Sequence, residues 1–250
     1  MTGIMSQGEV KNSLNPNSFT TGKSIMKTKH FRFTRNAVLG LACLAASAQA
    51  PAQTCGGVTQ ATALNNGYTT FQGGAANDTF VDTSGAAIWA HGGGGNDTLE
   101  SGSGDDIICG GGGNDTITTG DGNDDAFGGT GNDTINLGQG GFDYAEGNTD
   151  NDTIYGGRGP DSIYGDDQPG LLPSTVGADV LDGGPDDDEL SGGPGSDNLL
   201  GKSGTDQLFG DDGNDILNGG TSVGDADEGD GGGGLGDQCV QLEVAAVNCP

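Results

Sequence analysis

From Gly92 the chain reads GGGGNDTLE, from Gly110 GGGGNDTIT and from Gly128 GGTGNDTIN. The triplet Asn-Asp-Thr inside these segments also begins at Asn77 and Asn151, so that Asp78, Asp97, Asp115, Asp133 and Asp152 follow one another at steps of 18 or 19 residues. Midway between copies lies a looser version: SGSGDDIIC from Ser101, TGDGNDDAF from Thr119, and LGQGGFDYAE from Leu137 with one extra residue. The pattern returns as GGRGPDSIY from Gly156, GGPGSDNLL from Gly192 and GKSGTDQLF from Gly201. The unit is therefore nine residues, with Gly at position 4, Asp at 6 and an aliphatic residue at 8. Two units make one turn of a repeating structure.

Gly at positions 1, 2 and 4 permits φ > 0 and turns the carbonyls inward. Asp at 6 places a carboxylate at the end of that bend, and positions 7 to 9 suit a short strand whose alternate side chains face opposite sides. Only position 8 then points inward, at Phe80, Trp89, Leu99, Ile108, Ile117, Ala126, Ile135, Ala145, Ile154, Ile163, Leu181, Leu190, Leu199, Leu208 and Leu217. One apolar side chain per nine residues does not offset an ordering cost of roughly 1 kcal/mol or more per residue. Another cohesive term is required.

Stacking turns of eighteen residues at a strand spacing of about 4.8 Å lines up the position-6 carboxylates in two ladders. One edge carries Asp78, Asp97, Asp115, Asp133, Asp152, Asp179, Asp197 and Asp215, the other Asp106, Asp124, Asp143, Asp161, Asp188 and Asp206. Unscreened, these carboxylates repel. A hard cation held between turns by carboxylates and Gly-turn carbonyls converts the repulsion into cohesion, and a flexible all-oxygen site favours Ca²⁺ over the smaller Mg²⁺. Zinc is disfavoured, because the chain has only His30 and His91 and no C-x-x-C.

The units resemble the G-G-x-G-x-D-x-U-x nonapeptides of the RTX, or haemolysin-type calcium-binding, family over about residues 73–218. The resemblance implies an all-β fold, a parallel β-roll (right-handed β-solenoid) of about fifteen nonapeptide units at two units per turn. It also implies multiple Ca²⁺ ions between turns, with the Asp residues of both ladders as side-chain ligands. Several units depart from the pattern. In DTSGAAIWA from Asp82, Ala87 stands where Asp is needed, His91 reads as an extra bulged residue, and Trp89 reads as an inward plug near the open end. Ala76, Asp150 and Asp186 replace Gly at position 4, ten residues (DQPGLLPSTV) interrupt the turn before Gly177 and should weaken the sites of Asp179, and Asp225, Asp227 and Asp237 have no clear register.

Composition agrees with a fold built on cations. The 250 residues include 53 Gly, 8 Lys+Arg and 36 Asp+Glu, for a net charge of −28. Six of the basic residues precede position 53, which leaves two, Arg158 and Lys202, against 35 acids and a net charge of −33 beyond it. Such a chain repels nucleic acid and anionic membranes. Residues 1–25 read as an upstream extension, and 26–52 as a secretory signal peptide: a basic MKTKHFRFTRN, the apolar AVLGLACLAA and small residues before a cut after Ala52. The apolar run is too short to span a bilayer. Cys43 invites a lipid anchor, but Gly40 stands where a lipobox has Leu. The remaining divisions are an N-terminal cap at 53–72, the β-roll at 73–218 and a C-terminal cap or tail at 219–250.

Of the cysteines left after cleavage, Cys239 and Cys249 flank a short tail and are the favoured disulfide. Cys55 and Cys109 are then the remaining pair, or Cys109 is free. The Gly-Lys-Ser sequences at Gly22 and Gly201 lack the upstream Gly of a phosphate-binding loop. RTX proteins include proteases, lipases, epimerases and pore-forming toxins whose active domains lie outside the repeats. Here the flanks are too short for one, and H-E-x-x-H does not occur. The expectation is a secreted, extracellular calcium-binding module without enzymatic activity, folding on Ca²⁺ and serving a structural role or a cell-surface or extracellular matrix partner. The alternatives are a non-catalytic remnant or subunit of an exoenzyme or toxin, and a flat-face ligand binder, such as an ice binder, using Thr79, Thr98, Thr116, Thr134 and Thr153.

Overall fold

The structure, a computed structural model, describes residues 54–166, 177–220, 226–234 and 236–242. The extension, the signal segment, the ten inserted residues, Asp225 and Cys249 lie outside them. From Thr69 onward the chain winds into a parallel β-solenoid of about nine turns, each giving one strand to each of two nine-stranded sheets. Sheet A runs from Thr79–Val81 through Thr98–Glu100, Thr116–Thr118, Thr134–Asn136, Thr153–Tyr155, Val180–Pro185, Asn198–Ser203 and Ile216–Gly220 to Gln238–Val240. Sheet B runs from Thr69–Gln72 through Ile88–Gly94, Ile107–Gly112, Asp125–Thr130, Tyr144–Thr149, Ser162–Asp166, Glu189–Ser191 and Gln207–Phe209 to Glu228–Asp230. The Gly- and Asp-rich bends leading into sheet A form edge A, and those leading into sheet B form edge B.

Position 8 sets the core because a three-residue strand turns only its middle side chain inward. In sheet A, Leu99, Ile117, Ile135 and Ile154 are direct partners. Ile108, Ala126, Ala145 and Ile163 are their counterparts in sheet B. All are fully buried in one cluster that continues through Leu181, Leu190, Leu199, Leu208 and Leu217. Each buried Leu or Ile is worth about 1.5–3 kcal/mol. Phe71 and Phe80 stack at 4.8 Å to close the N-terminal end of this column.

Two expectations about extent and register are corrected. Strands at Thr69–Gln72, Glu228–Asp230 and Gln238–Val240 carry the roll beyond 73–218, so fifteen units fall three short of the strands in the two sheets. Trp89 is not an inward plug: its neighbour Ala90 pairs with Ile108 in the core, while Trp89 pairs with Ile107 and points outward. The segment Asp82–His91 holds ten residues, and the extra one is absorbed in the bend rather than at His91. Ile88 therefore occupies the Asp position, its N–H donating to Asp106 Oδ1 at 2.8 Å, and His91 is an ordinary strand residue paired with Cys109 and Gln72.

Trp89 is nonetheless fully buried, because residues 54–68 fold over that face of sheet B. Thr54–Cys55 pairs antiparallel with Val58–Thr59, and a short helix, Gln60–Asn65, starts at Thr59, whose hydroxyl accepts from Thr62 N–H at 3.2 Å. Cys55, Ala63, Trp89 and Cys109 form a second buried cluster with Val58, Tyr68, Ile107 and Phe127 around it. Trp89 Nε1 donates to Val58 O at 3.1 Å, and a Cys55–Cys109 disulfide ties the cap to the sheet. Cys239 is also disulfide-bonded. Its expected partner, Cys249, is outside the described residues.

Candidate metal centres

The bends stack in strict order. On edge A the N–H of Asp97 donates to Asp115 Oδ1 at 2.7 Å, that of Asp115 to Asp133 Oδ1 at 2.7 Å, and that of Asp133 to Asp152 Oδ1 at 2.8 Å. The ladder continues through Asp179, Asp197 and Asp215. On edge B the same bonds link Asp106, Asp124, Asp143, Asp161, Asp188 and Asp206. Each carboxylate thus spends one oxygen on the backbone of the preceding turn.

The other oxygen is the one of interest. Oδ2 of Asp97, Asp115, Asp133, Asp152, Asp179, Asp197 and Asp215 on edge A, and of Asp143, Asp161 and Asp188 on edge B, is buried without a hydrogen-bond partner, whereas the carboxylates of Asp106 and Asp124 have the Ser101 and Thr119 hydroxyls beside them. These residues are at most 3 % exposed. Buried polar atoms are almost always paired, so a set of unpaired carboxylate oxygens repeated from turn to turn calls for a positively charged partner. Asp78 differs. It is the open end of its ladder, half-buried, and its Oδ2 accepts from Gly74 N–H at 2.8 Å.

Position 1 explains the space around Oδ2. A methyl group added at Gly210 would lie 2.6 Å from Asp215 Oδ2 and 2.8 Å from Gly231 O of the next turn. At Gly156 it would lie 2.6 Å from Asp161 Oδ2 and 2.5 Å from Gly183 O. Gly92, Gly110, Gly128 and Gly147 have the same surroundings. Each position-1 Gly therefore leaves a cradle between a carboxylate oxygen and the carbonyl of the neighbouring turn, of a size that oxygen ligands of a cation would line. Asp150 and Asp186 keep the bend intact at position 4 by taking left-handed backbone, φ 74° and 87°, a conformation Asp tolerates.

Electrostatics points the same way. Burial, opposed by the backbone hydrogen bond to Oδ1 and reinforced by neighbouring carboxylates, pushes Asp143, Asp188 and Asp197 up to about 8 and Asp152 to about 9. Burial likewise lifts Asp124, Asp133 and Asp161 to about 7 and Asp115 to about 6. Carboxylates held this far from their usual range are short of positive charge. Among the described residues no three acidic, His or Cys side chains gather at one point, so backbone carbonyls must supply much of any coordination shell.

Some of this was not readable from the sequence. Asp227 and Asp237 extend the ladders, accepting from Asp206 N–H at 3.0 Å and Asp215 N–H at 3.1 Å. Asp166, beside the insertion, is buried and accepts from Gly177 N–H at 3.0 Å across the inserted residues. A third ladder, at position 5, runs beside edge A: the N–H of Asn96, Asn114, Asn132 and Asn151 each donates to the Asn Oδ1 one turn before, at 2.9–3.2 Å. The signal for that ladder was the invariance of Asn in Asn-Asp-Thr.

The RTX calcium-binding nonapeptide repeat, a pattern of four copies, matches residues 89–117, 118–141, 137–169, 175–199 and 191–222. The chain belongs to this RTX repeat family. No curated protein matches it. The donor set fits the family's cation: oxygen atoms only, carboxylate and carbonyl mixed, on bends without bulky side chains, as Ca²⁺ requires. Among the described residues no helix is long and apolar enough to cross a membrane.

Proposed function

We propose that this protein is an exported calcium-binding RTX module that folds on Ca²⁺ and acts as a structural or interaction element, without enzymatic activity of its own. The observation that carries the reading is the double row of buried, unpartnered Asp Oδ2 atoms beside position-1 cradles. The residues that would hold metal are Asp97, Asp115, Asp133, Asp152, Asp179, Asp197 and Asp215 on edge A and Asp161, Asp188 and Asp206 on edge B, each beside a position-1 Gly, with the turn carbonyls. Bound Ca²⁺ supplies positive charge between stacked carboxylates. The chain supplies the spacing. Export is supported by the signal-like segment 26–52 and by the Cys55–Cys109 disulfide, which suits an oxidising compartment. There, millimolar calcium fills sites with Kd on the order of 10⁻⁴ to 10⁻³ M.

Circular dichroism tests this directly. Strand signal should be low in chelator, rise with millimolar Ca²⁺ and respond little to equal Mg²⁺; the same strand signal in chelator and in Ca²⁺ would overturn it. Protease, lipase or glycosidase turnover by the purified chain would overturn the non-enzymatic part. A second reading, a flat-face ligand binder, is favoured by one observation: Thr79, Thr98, Thr116, Thr134 and Thr153 are direct partners along sheet A. The row ends at Val180, and Thr suits exposed strand positions for its own sake. A thermal-hysteresis assay separates the two.

A further inference from the structure

The two edges are not alike at position 1. Edge A has Gly at this position beside Asp97, Asp115, Asp133, Asp152 and Asp215. Edge B has Ser101 before Asp106, Thr119 before Asp124 and Leu137 before Asp143, and returns to Gly only at Gly156, before Asp161. Those three side chains stand where the cradle is empty elsewhere. Ser101 Oγ donates to Thr119 O at 2.6 Å, and Thr119 Oγ1 donates to Leu137 O at 2.8 Å. The acceptors are the position-1 carbonyls of the next turn, the same atoms that face Oδ2 across the cradles of edge A. Leu137 is fully buried and joins the apolar core, as does Ile88 at the Asp position of the turn before Ser101.

Building on the calcium-binding reading, we propose that the first turns of edge B are closed to the cation and joined instead by a hydroxyl ladder and extra apolar side chains. Calcium loads edge A along its length but edge B only from Asp161 onward. The closed turns, which need metal at edge A alone, form the starting block of the roll and order at lower calcium than the turns beyond them. Three independent features fall on that same block: the hydroxyl bonds, the two additional buried apolar residues, and the cap with its disulfide to Cys109 and its cover over Trp89 and Ile107. After Asp161 the described turns have no position-1 hydroxyl and no added core residue, and their one disulfide-bonded residue, Cys239, lies in the last strand, so the cohesion of the turns between depends on metal. The roll thus grows from its N-terminal end as calcium rises.

The test uses the full chain and counts bound calcium by metal analysis after desalting. Asp124→Asn and Asp133→Asn lie at successive bends, half a turn apart, on opposite edges. Asp133→Asn should lose one or two ions and raise the calcium midpoint, while Asp124→Asn should keep the wild-type count. Equal losses from both would overturn the inference. As a measurement free of variants, hydrogen exchange across a calcium titration should protect 107–112 and 125–130 at lower calcium than 189–191 and 207–209. Simultaneous protection along sheet B, or protection from the C-terminal end first, would also overturn it. A wild-type chain that binds no calcium sinks the functional reading and this inference together, which separates that failure from the others.

Discussion

Asp115 shows what a single residue of the ladder does. Its Oδ1 accepts from Asp97 N–H, and its own N–H donates to Asp133 Oδ1, both at 2.7 Å, so it connects the turns above and below. Its Oδ2 faces the cradle of Gly110. Asp115→Ala should therefore lower bound calcium by one or two ions and raise the calcium midpoint, because each rung of a solenoid contacts only its stacked neighbours. The residue beside it provides the contrast. Asn114 accepts from Asn132 N–H at 3.1 Å, a neutral bond whose loss costs about 0.5–1.5 kcal/mol. Asn114→Ala should lower thermal stability slightly and leave the ion count unchanged. Metal analysis of the two variants side by side is decisive, since equal ion losses would mean that position 6 has no special place at the cation.

At the scale of elements, the cap and the roll are held together by the Cys55–Cys109 disulfide and the Trp89 cluster. Removing a native disulfide from a small exported domain costs about 2–5 kcal/mol. Trp89 is the single Trp of the chain and fully buried, which makes it a reporter for this element alone. Cys55→Ser with Cys109→Ser should shift its emission to the red in calcium while most strand signal remains; unchanged emission would mean that the cap holds without the bond. The regular strands were legible from position 8 because burial in a three-residue strand has one solution per unit. The cap was not. In Asp82–His91 the extra residue could be absorbed at either end, and either choice puts an apolar side chain inward, so periodicity could not choose between Trp89 and Ala90. The strands at Thr69–Gln72 and Gln238–Val240 were hidden for a different reason: no Gly-rich bend precedes Thr69, the GGGGLGD from Gly231 that precedes Gln238 has one residue too many, and Cys239, not an aliphatic residue, faces Leu217.

For the whole molecule, a net charge of −33 beyond residue 52 opposes the compact state, and the two ladders place much of that charge inside. A carboxyl whose folded-state pKa is raised favours folding only while it is protonated. The penalty is absent below the ordinary value of 3.8, grows as pH rises, and is complete above the folded value, near 6 for Asp115 and near 9 for Asp152. Without metal, stability should accordingly fall as pH rises through about 4 to 9, and the apparent calcium affinity should fall in the opposite direction, because the cation displaces protons from the same oxygens. In chelator the chain should then gain strand signal as pH is lowered from 8 to about 5, still above its pI of about 4.1. General charge repulsion predicts the same sign, so salt is the discriminating variable. Salt at 1 M screens exposed charges over about 3 Å but reaches buried ones poorly, and it should not restore strand signal to the metal-free chain at pH 8. Recovery in salt alone would place the repulsion on the surface of the roll and remove the buried ladders as its cause.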